Sequence, residues 1–140
     1  MPQYHDEEYW NLRYQDEVDY FEWYCSYGSL EPMLSRTISR LQKRFRLPFL
    51  DILDFGCGTS TVTRHLAEQH RNLRILSIDR SAPCIQFMAH TLPPLPTDHG
   101  STLNYKAMAL EAMSLSFSGE HRHRYHLVFC PLSLCCIALF

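Results

Sequence analysis

The stretch LDFGCGTS, residues 53–60, decides the fold. It ends an apolar run, FLDILDF (residues 49–55), and opens onto a helical stretch, residues 60–69. A short apolar run closed by glycine predicts a buried parallel strand. Gly56, at the strand's carboxyl end, lets the chain turn sharply. Gly58 lets the backbone lie against a ligand with no Cβ in the way. Asp54 stands just before the turn, where a carboxylate can reach a cationic group of a ligand. About twenty residues on, a second apolar run, LRILSI (residues 73–78), is closed by Asp79. That is the place from which a carboxylate accepts hydrogen bonds from ribose hydroxyls.

The same alternation continues on either side. Residues 81–92 read as a helix with Ser81 as N-cap and Pro83 in its first turn, and residues 93–100 (PPLPTDHG) as a loop. Residues 103–110 and 125–129 (YHLVF) are candidate third and fourth strands. Upstream, a helix is expected from Ser29 or Glu31 to about Phe45, with Pro32 in its first turn. Met33, Leu34, Ile38, Leu41 and Phe45 give it an apolar face. Arg36, Arg40, Lys43, Arg44 and Arg46 recur three to four apart, which fits a solvated helix face better than a binding patch. Strands alternating with helices at these separations predict an α/β fold with a doubly wound, mostly parallel sheet.

Composition bounds the function classes. The 140 residues suffice for one domain, and a net charge of −2 gives no sign of a nucleic-acid or anionic-membrane surface. The six cysteines include no C-x-x-C pair, and no histidines pair with them at zinc spacing, so no metal site is expected. Residues 1–8 are acidic and polar, without the pattern of a secretory or transit leader. A reducing, cytoplasmic location with free thiols is the expectation. The uncharged run of residues 127–140 is shorter than the ~20 residues needed to span a bilayer.

Two ligand classes compete for the glycine turn. A dinucleotide fingerprint, G-x-G-x-x-G, needs a third glycine where this chain has Thr61. A pyrophosphate also needs an exposed helix N-terminus, and Asp54 would repel it. S-adenosylmethionine has no phosphate, and its methionine ammonium is attracted by that acid. The methyl donor therefore fits the turn better than a nicotinamide or flavin dinucleotide. A tight turn without a ligand role fits less well, because Asp79 arrives at the spacing a ribose requires.

DFGCGTS followed by SID resembles motifs I and II of the class I, Rossmann-like methyltransferases. YWNLRY (residues 9–14) and FEWY (residues 21–24) resemble the N-terminal signature of the methyltransferase-like group. That group includes lysine methyltransferases acting on translation elongation factor 1A and on mitochondrial citrate synthase. The resemblance covers residues 7–92, and 103–129 more weakly. It implies S-adenosylmethionine as cofactor and a protein presenting a lysine as partner. It also implies that Trp10, Tyr14 and Trp23 help close the cofactor pocket, that Gly56 contacts the methionine moiety, and that Asp79 with Arg80 holds the ribose–adenine end. The aromatics suit this physically, because Trp and Tyr can face both a sulfonium cation and the flat adenine. An aromatic lid packed only on the sheet edge is the alternative.

The chain also departs from the family pattern. Where relatives carry an acid for the adenine amine, this chain has Ala109 and Leu110, with Glu111 two residues on. Where they carry an acid–lysine–glycine stretch after the fourth strand, it reads CPLS and then an apolar run. No catalytic base is visible. Three parts are expected: an aromatic helical lid segment over 1–28, a partial methyltransferase domain over 29–129, and an apolar tail over 130–140. The sheet is expected to stop after about four strands, against the seven usual for this fold, leaving the fourth as a hydrophobic edge. Three functions follow: a protein-lysine methyltransferase, a catalytically inactive relative of one, and a small-molecule methyltransferase. The paired aromatic motifs favour the first over the third.

Overall fold

The apolar run before the glycine turn forms strand β1, Leu50–Phe55, and the next run forms β2, Leu73–Asp79. In the computed structural model, which describes residues 4–16, 19–22, 25–91, 100–108 and 125–130, two further strands complete the sheet. These are β3, Thr102–Ala107, and β4, Leu127–Phe129. All pairings are parallel, in the order β3-β2-β1-β4. The register sets Leu50 beside Leu73 and Ile52 beside both Ile75 and Leu127. From β1 the chain winds outward through β2 to β3, then returns to place β4 on the other side. This is the doubly wound, Rossmann-like arrangement expected from the sequence, and its direction reverses at β1, where such sheets bind ligands at the strands' carboxyl ends.

One face of the sheet carries the larger core. Leu50, Ile52, Leu73, Ile75 and Leu103 meet Leu34 and Ile38 of helix α2 (Tyr27–Phe45), and Val62, Leu66 and Ala67 of α3 (Val62–Gln69). Each fully buried Leu, Ile or Val contributes about 1.5–3 kcal/mol relative to an exposed one. The opposite face buries Leu53, Phe55 and Ile78. Among the described residues β4 is a sheet edge, and Val128 on it is 48% exposed.

Helix α2 differs from the sequence reading in two respects. It begins at Tyr27, so Pro32 lies inside the helix and not in its first turn. The early start is anchored by Tyr27, whose hydroxyl donates to Gln69 Oε1 at 2.8 Å while its ring packs on His65. The proline ring faces the carbonyl of the residue four before it, which here is Gly28, and the helix gives up one hydrogen bond. Of the five apolar residues expected on one face, Leu34 and Ile38 are buried and Leu41 is partly buried, but Met33 and Phe45 are exposed. A helix touching a sheet along a narrow stripe covers only the central rows. The five basic residues of α2 and its end are all exposed, as a solvated face requires.

The remaining elements sit close to their expected places. Helix α4 runs Ala82–Thr91, and Ser81 Oγ accepts from the Cys84 backbone N–H at 3.4 Å, the N-cap role foreseen for it. The aromatic N-terminal segment contains helix α1, Glu7–Gln15, capped by Asp6, whose Oδ1 accepts from Glu8 N–H at 3.0 Å. Among the described residues, no helix is long and apolar enough to cross a membrane.

Candidate functional site

The turn after β1 takes the backbone that its glycines permit. Gly56 and Gly58 both have positive φ, 70° and 52°. The N–H groups of Gly56 and Cys57 donate to the Ile78 carbonyl at 2.8 and 2.9 Å, which pins the turn to the end of β2. Asp79 pins it again: Oδ2 accepts from Gly58 N–H at 3.0 Å, and Oδ1 accepts from Ser81 N–H at 2.9 Å. One carboxylate thus joins the glycine turn to the start of α4. Burial pushes the Asp79 carboxyl upward in pKa, against the opposing pull of its backbone N–H donors and Arg80.

Asp54 lies beneath the turn, 3% exposed. Its Oδ2 accepts from Ser77 Oγ at 3.1 Å, and that hydroxyl lies 3.2 Å from Thr63 Oγ1. Desolvation raises this carboxyl to about 7; the Ser77 and Thr63 hydroxyls pull it down, and the negative charges of Asp79 and Glu22 push it up. Among the described residues, no cation is one of the main influences on it. A positively charged ligand group would therefore find here an acid that gains by being paired.

The N-terminal segment straps across this turn. A Cβ added at Gly58 would lie 3.0 Å from Tyr14 Oη, so the missing side chain is what lets the tyrosine hydroxyl approach. Tyr14 stacks on Trp10 with ring centroids 5.9 Å apart, and both pack on Cys84 and Met88 of α4. Trp10 Nε1 donates to the Tyr4 carbonyl at 2.7 Å. On its outer side Tyr14 borders a cleft of about 720 Å³ between α1 and α4, lined also by Pro83, Phe87 and His90. Further along, Phe21 N–H donates to the Thr59 carbonyl at 3.3 Å and to Thr59 Oγ1 at 3.2 Å. Glu22 Oε1 accepts from both Thr61 N–H, at 2.8 Å, and Thr61 Oγ1, at 3.1 Å.

The site residues expected from sequence thus divide. The structure brings Tyr14, Gly58, Asp79 and Asp54 together around one turn, with Gly56 opening it and Trp10 behind Tyr14. Arg80 is turned toward the strap: its Nη1 donates to the His5 carbonyl at 2.7 Å, while its Nε is buried without a partner. Trp23, Ala109 and Leu110 lie outside the described residues. Glu22 sits within the FEWY motif, but nothing in its spacing marks it as a contact residue. It meets the start of α3 from 39 residues away, a separation to which no local spacing rule applies. Cys57 is buried, and its thiol is pushed well up in pKa, first by its hydrogen bond with Cys84 and then by burial. A thiol so placed is a filler and not a nucleophile.

These contacts bear on the ligand. The N-terminus of α3, which a pyrophosphate would need, already has Thr61 N–H bonded to Glu22 and Val62 N–H bonded to Ser60 Oγ at 3.2 Å. Carboxylates, an aromatic wall and an open glycine suit a ligand that carries a cation, hydroxyls and a flat ring but no phosphate.

No curated protein sequence matches the chain. Among solved structures, WbdD superposes with a TM-score of 0.50 at 18% identity, over 69% of this chain and 20% of that one. The plantazolicin methyltransferase BpumL, solved with a triazolic desmethylPZN analog and S-adenosylhomocysteine, gives 0.41 at 22% identity, over 56% and 28%. Geranyl diphosphate C-methyltransferase from Streptomyces coelicolor A3(2), solved with Mg2+, geranyl diphosphate and S-adenosylhomocysteine, gives 0.36 at 18%, over 78% and 48%. The chain spans less than half the length of each. A family model described as a methyltransferase domain matches residues 52–138. That match takes in most of β1, the glycine turn and more than half of the sequence, and the chain belongs to the methyltransferase-domain family.

Proposed function

We propose that the chain binds S-adenosylmethionine at the carboxyl ends of β1 and β2 and transfers its methyl group to a lysine amine of a protein. The observation that carries the cofactor half is the approach of Tyr14 Oη to the missing Cβ of Gly58, with Asp79 holding the turn from below. It brings an aromatic wall, the glycine turn and a carboxylate together on one small surface. The acceptor half rests on the resemblance of residues 9–14 and 21–24 to the lysine-modifying group.

In this reading each residue does one thing. Gly56 and Gly58 let the methionine portion lie on the backbone. Asp79 accepts from the ribose hydroxyls, and Arg80 closes the same end. Asp54 faces the ammonium. Trp10, Tyr14 and Trp23 cover the ligand and exclude water. When bound, S-adenosylmethionine supplies a methyl group made electrophilic by its sulfonium. The chain's own contribution is positioning and desolvation: the lysine must arrive neutral, in line with the methyl, in a site where water does not compete.

Calorimetry with S-adenosylhomocysteine tests the first half, and tritium transfer from labelled S-adenosylmethionine into a cell lysate tests the second. Label recovered as methyl-lysine after hydrolysis is the expected result. Label confined to the small-molecule fraction would reject the protein acceptor while keeping the cofactor.

A further inference from the structure

We infer that Glu22 is a positioning residue, the latch that holds the aromatic strap over the glycine turn by capping the N-terminus of α3. Helix α3 has no side-chain cap of its own at Thr61, and its first-turn residues include no acid. The N–H groups that begin such a helix need acceptors and carry a partial positive charge. Glu22 supplies one, taking both the N–H and the hydroxyl of Thr61 on a single carboxylate oxygen. The contact is part-buried, so water competes with it less than at the surface. Its neighbour Phe21 adds two contacts to Thr59, so consecutive strap residues clip onto consecutive residues of the turn.

The position of this clip matters more than its strength. Thr59 and Thr61 flank Ser60 just past Gly58, and Gly58 is the residue that Tyr14 Oη approaches. Tyr14 therefore has two holds near the turn: its own packing on α4, and the Glu22 clip on the chain beyond it. Oε2 of Glu22 is buried without a partner, so the carboxylate is placed by Thr61 alone and nothing in the described structure pulls it elsewhere. The same carboxylate sits close enough to Asp54 to raise that acid's pKa, the smallest of the influences on it. The consequence for cofactor affinity rests on the proposed function; the latch itself does not.

Amide hydrogen exchange on the ligand-free chain tests the latch directly. In Glu22→Ala, exchange at the Thr61 amide and across residues 19–22 should rise roughly tenfold or more, as expected for loss of a charge-assisted hydrogen bond. Glu22→Gln keeps an acceptor oxygen and should recover most of that protection. In both variants Ile52 and Ile75, in the strands, should keep wild-type protection. Unchanged exchange at Thr61 in Glu22→Ala would overturn the proposal. So would an equal rise at Ile52 and Ile75 in both variants, since that is general destabilisation. S-adenosylhomocysteine affinity should fall roughly tenfold in Glu22→Ala and recover in Glu22→Gln. A wild-type chain that fails to bind this probe would reject the cofactor reading, whereas the latch is decided at Thr61.

Discussion

The glycine turn and the aromatic strap face each other across the site, but they are held in different ways. The turn is bound by backbone: Gly56, Cys57 and Gly58 donate to the Ile78 carbonyl and to Asp79, both at the end of the neighbouring strand. The strap is bound mostly through side chains: an aromatic stack on α4, a guanidinium on the His5 carbonyl and a carboxylate on Thr61, with one backbone bond from Phe21 N–H to the Thr59 carbonyl. Backbone bonds to a central strand break only when the sheet does. Side-chain contacts can open one segment at a time. The turn is the fixed half of the site and the strap is the adjustable half.

The largest break should come from the fixed half. Gly58→Val places a β-branched residue at a φ of 52° and drives a Cβ to within 3.0 Å of Tyr14 Oη. Left-handed backbone alone costs a non-glycine residue about 1–2 kcal/mol. The steric conflict adds to that, so thermal melting should drop clearly and S-adenosylhomocysteine binding should vanish. Gly56→Arg should also abolish binding, by filling the approach to the turn. Wild-type affinity in either variant would show that the cofactor does not lie on this turn.

Tyr14→Ala should break the adjustable half alone. Truncating a buried aromatic typically costs about 3–5 kcal/mol, but here the loss is capped by the free energy with which the strap docks. Cofactor affinity should fall strongly while the melting temperature moves less than in Gly58→Val. A larger melting shift in Tyr14→Ala would mean that the strap is part of the core and not a lid.

Asp54 sharpens the comparison through pH. Its carboxyl is near 7 in the fold against 3.8 when unperturbed, so the folded state holds more protons between about pH 4 and 7. Stability from this group is therefore greatest at and below about pH 4, falls as pH rises toward 7, and is flat above. Asp79 is raised in the same direction and adds to the trend. Asp54→Asn should flatten the slope and stabilise the chain at pH 8. If Asp54 faces the ligand's ammonium, wild-type affinity should be several-fold tighter at pH 8 than at pH 5.5, and Asp54→Asn should lose that difference. A pH-independent wild-type affinity would remove Asp54 from the cofactor site. The smallest effect belongs to Cys57→Ala: a buried, neutral thiol replaced by a smaller group should change affinity by less than about twofold. Complete loss of binding with the fold intact would make Cys57 a contact residue.

What the sequence made legible follows the same division. Strand, glycine turn, helix and closing acid lie within thirty residues of one another, and each follows a local rule of spacing or backbone freedom. That is why β1, β2, α3, α4 and Asp79 stand where the sequence put them. The start of α2 differs from the expectation because Pro32 suggests a first turn, whereas Tyr27 is drawn into the helix by Gln69 and His65, distant in sequence. Arg80, which the resemblance places at the ribose–adenine end, also bonds to the His5 carbonyl, a contact that sequence spacing does not reveal. The contact of Glu22 with Thr61 is hidden from sequence spacing for the same reason. Contacts between segments that the fold brings together from afar leave no periodic trace.

The central claim is that this turn and strap form a site for S-adenosylmethionine and not for a dinucleotide. Titration calorimetry of the whole chain with S-adenosylhomocysteine and, separately, with NAD tests it most directly. The account predicts saturable one-to-one binding of S-adenosylhomocysteine and no heat from NAD, because Glu22 and Asp79 already occupy the N–H groups that a pyrophosphate would require. NAD binding more tightly than S-adenosylhomocysteine would contradict it.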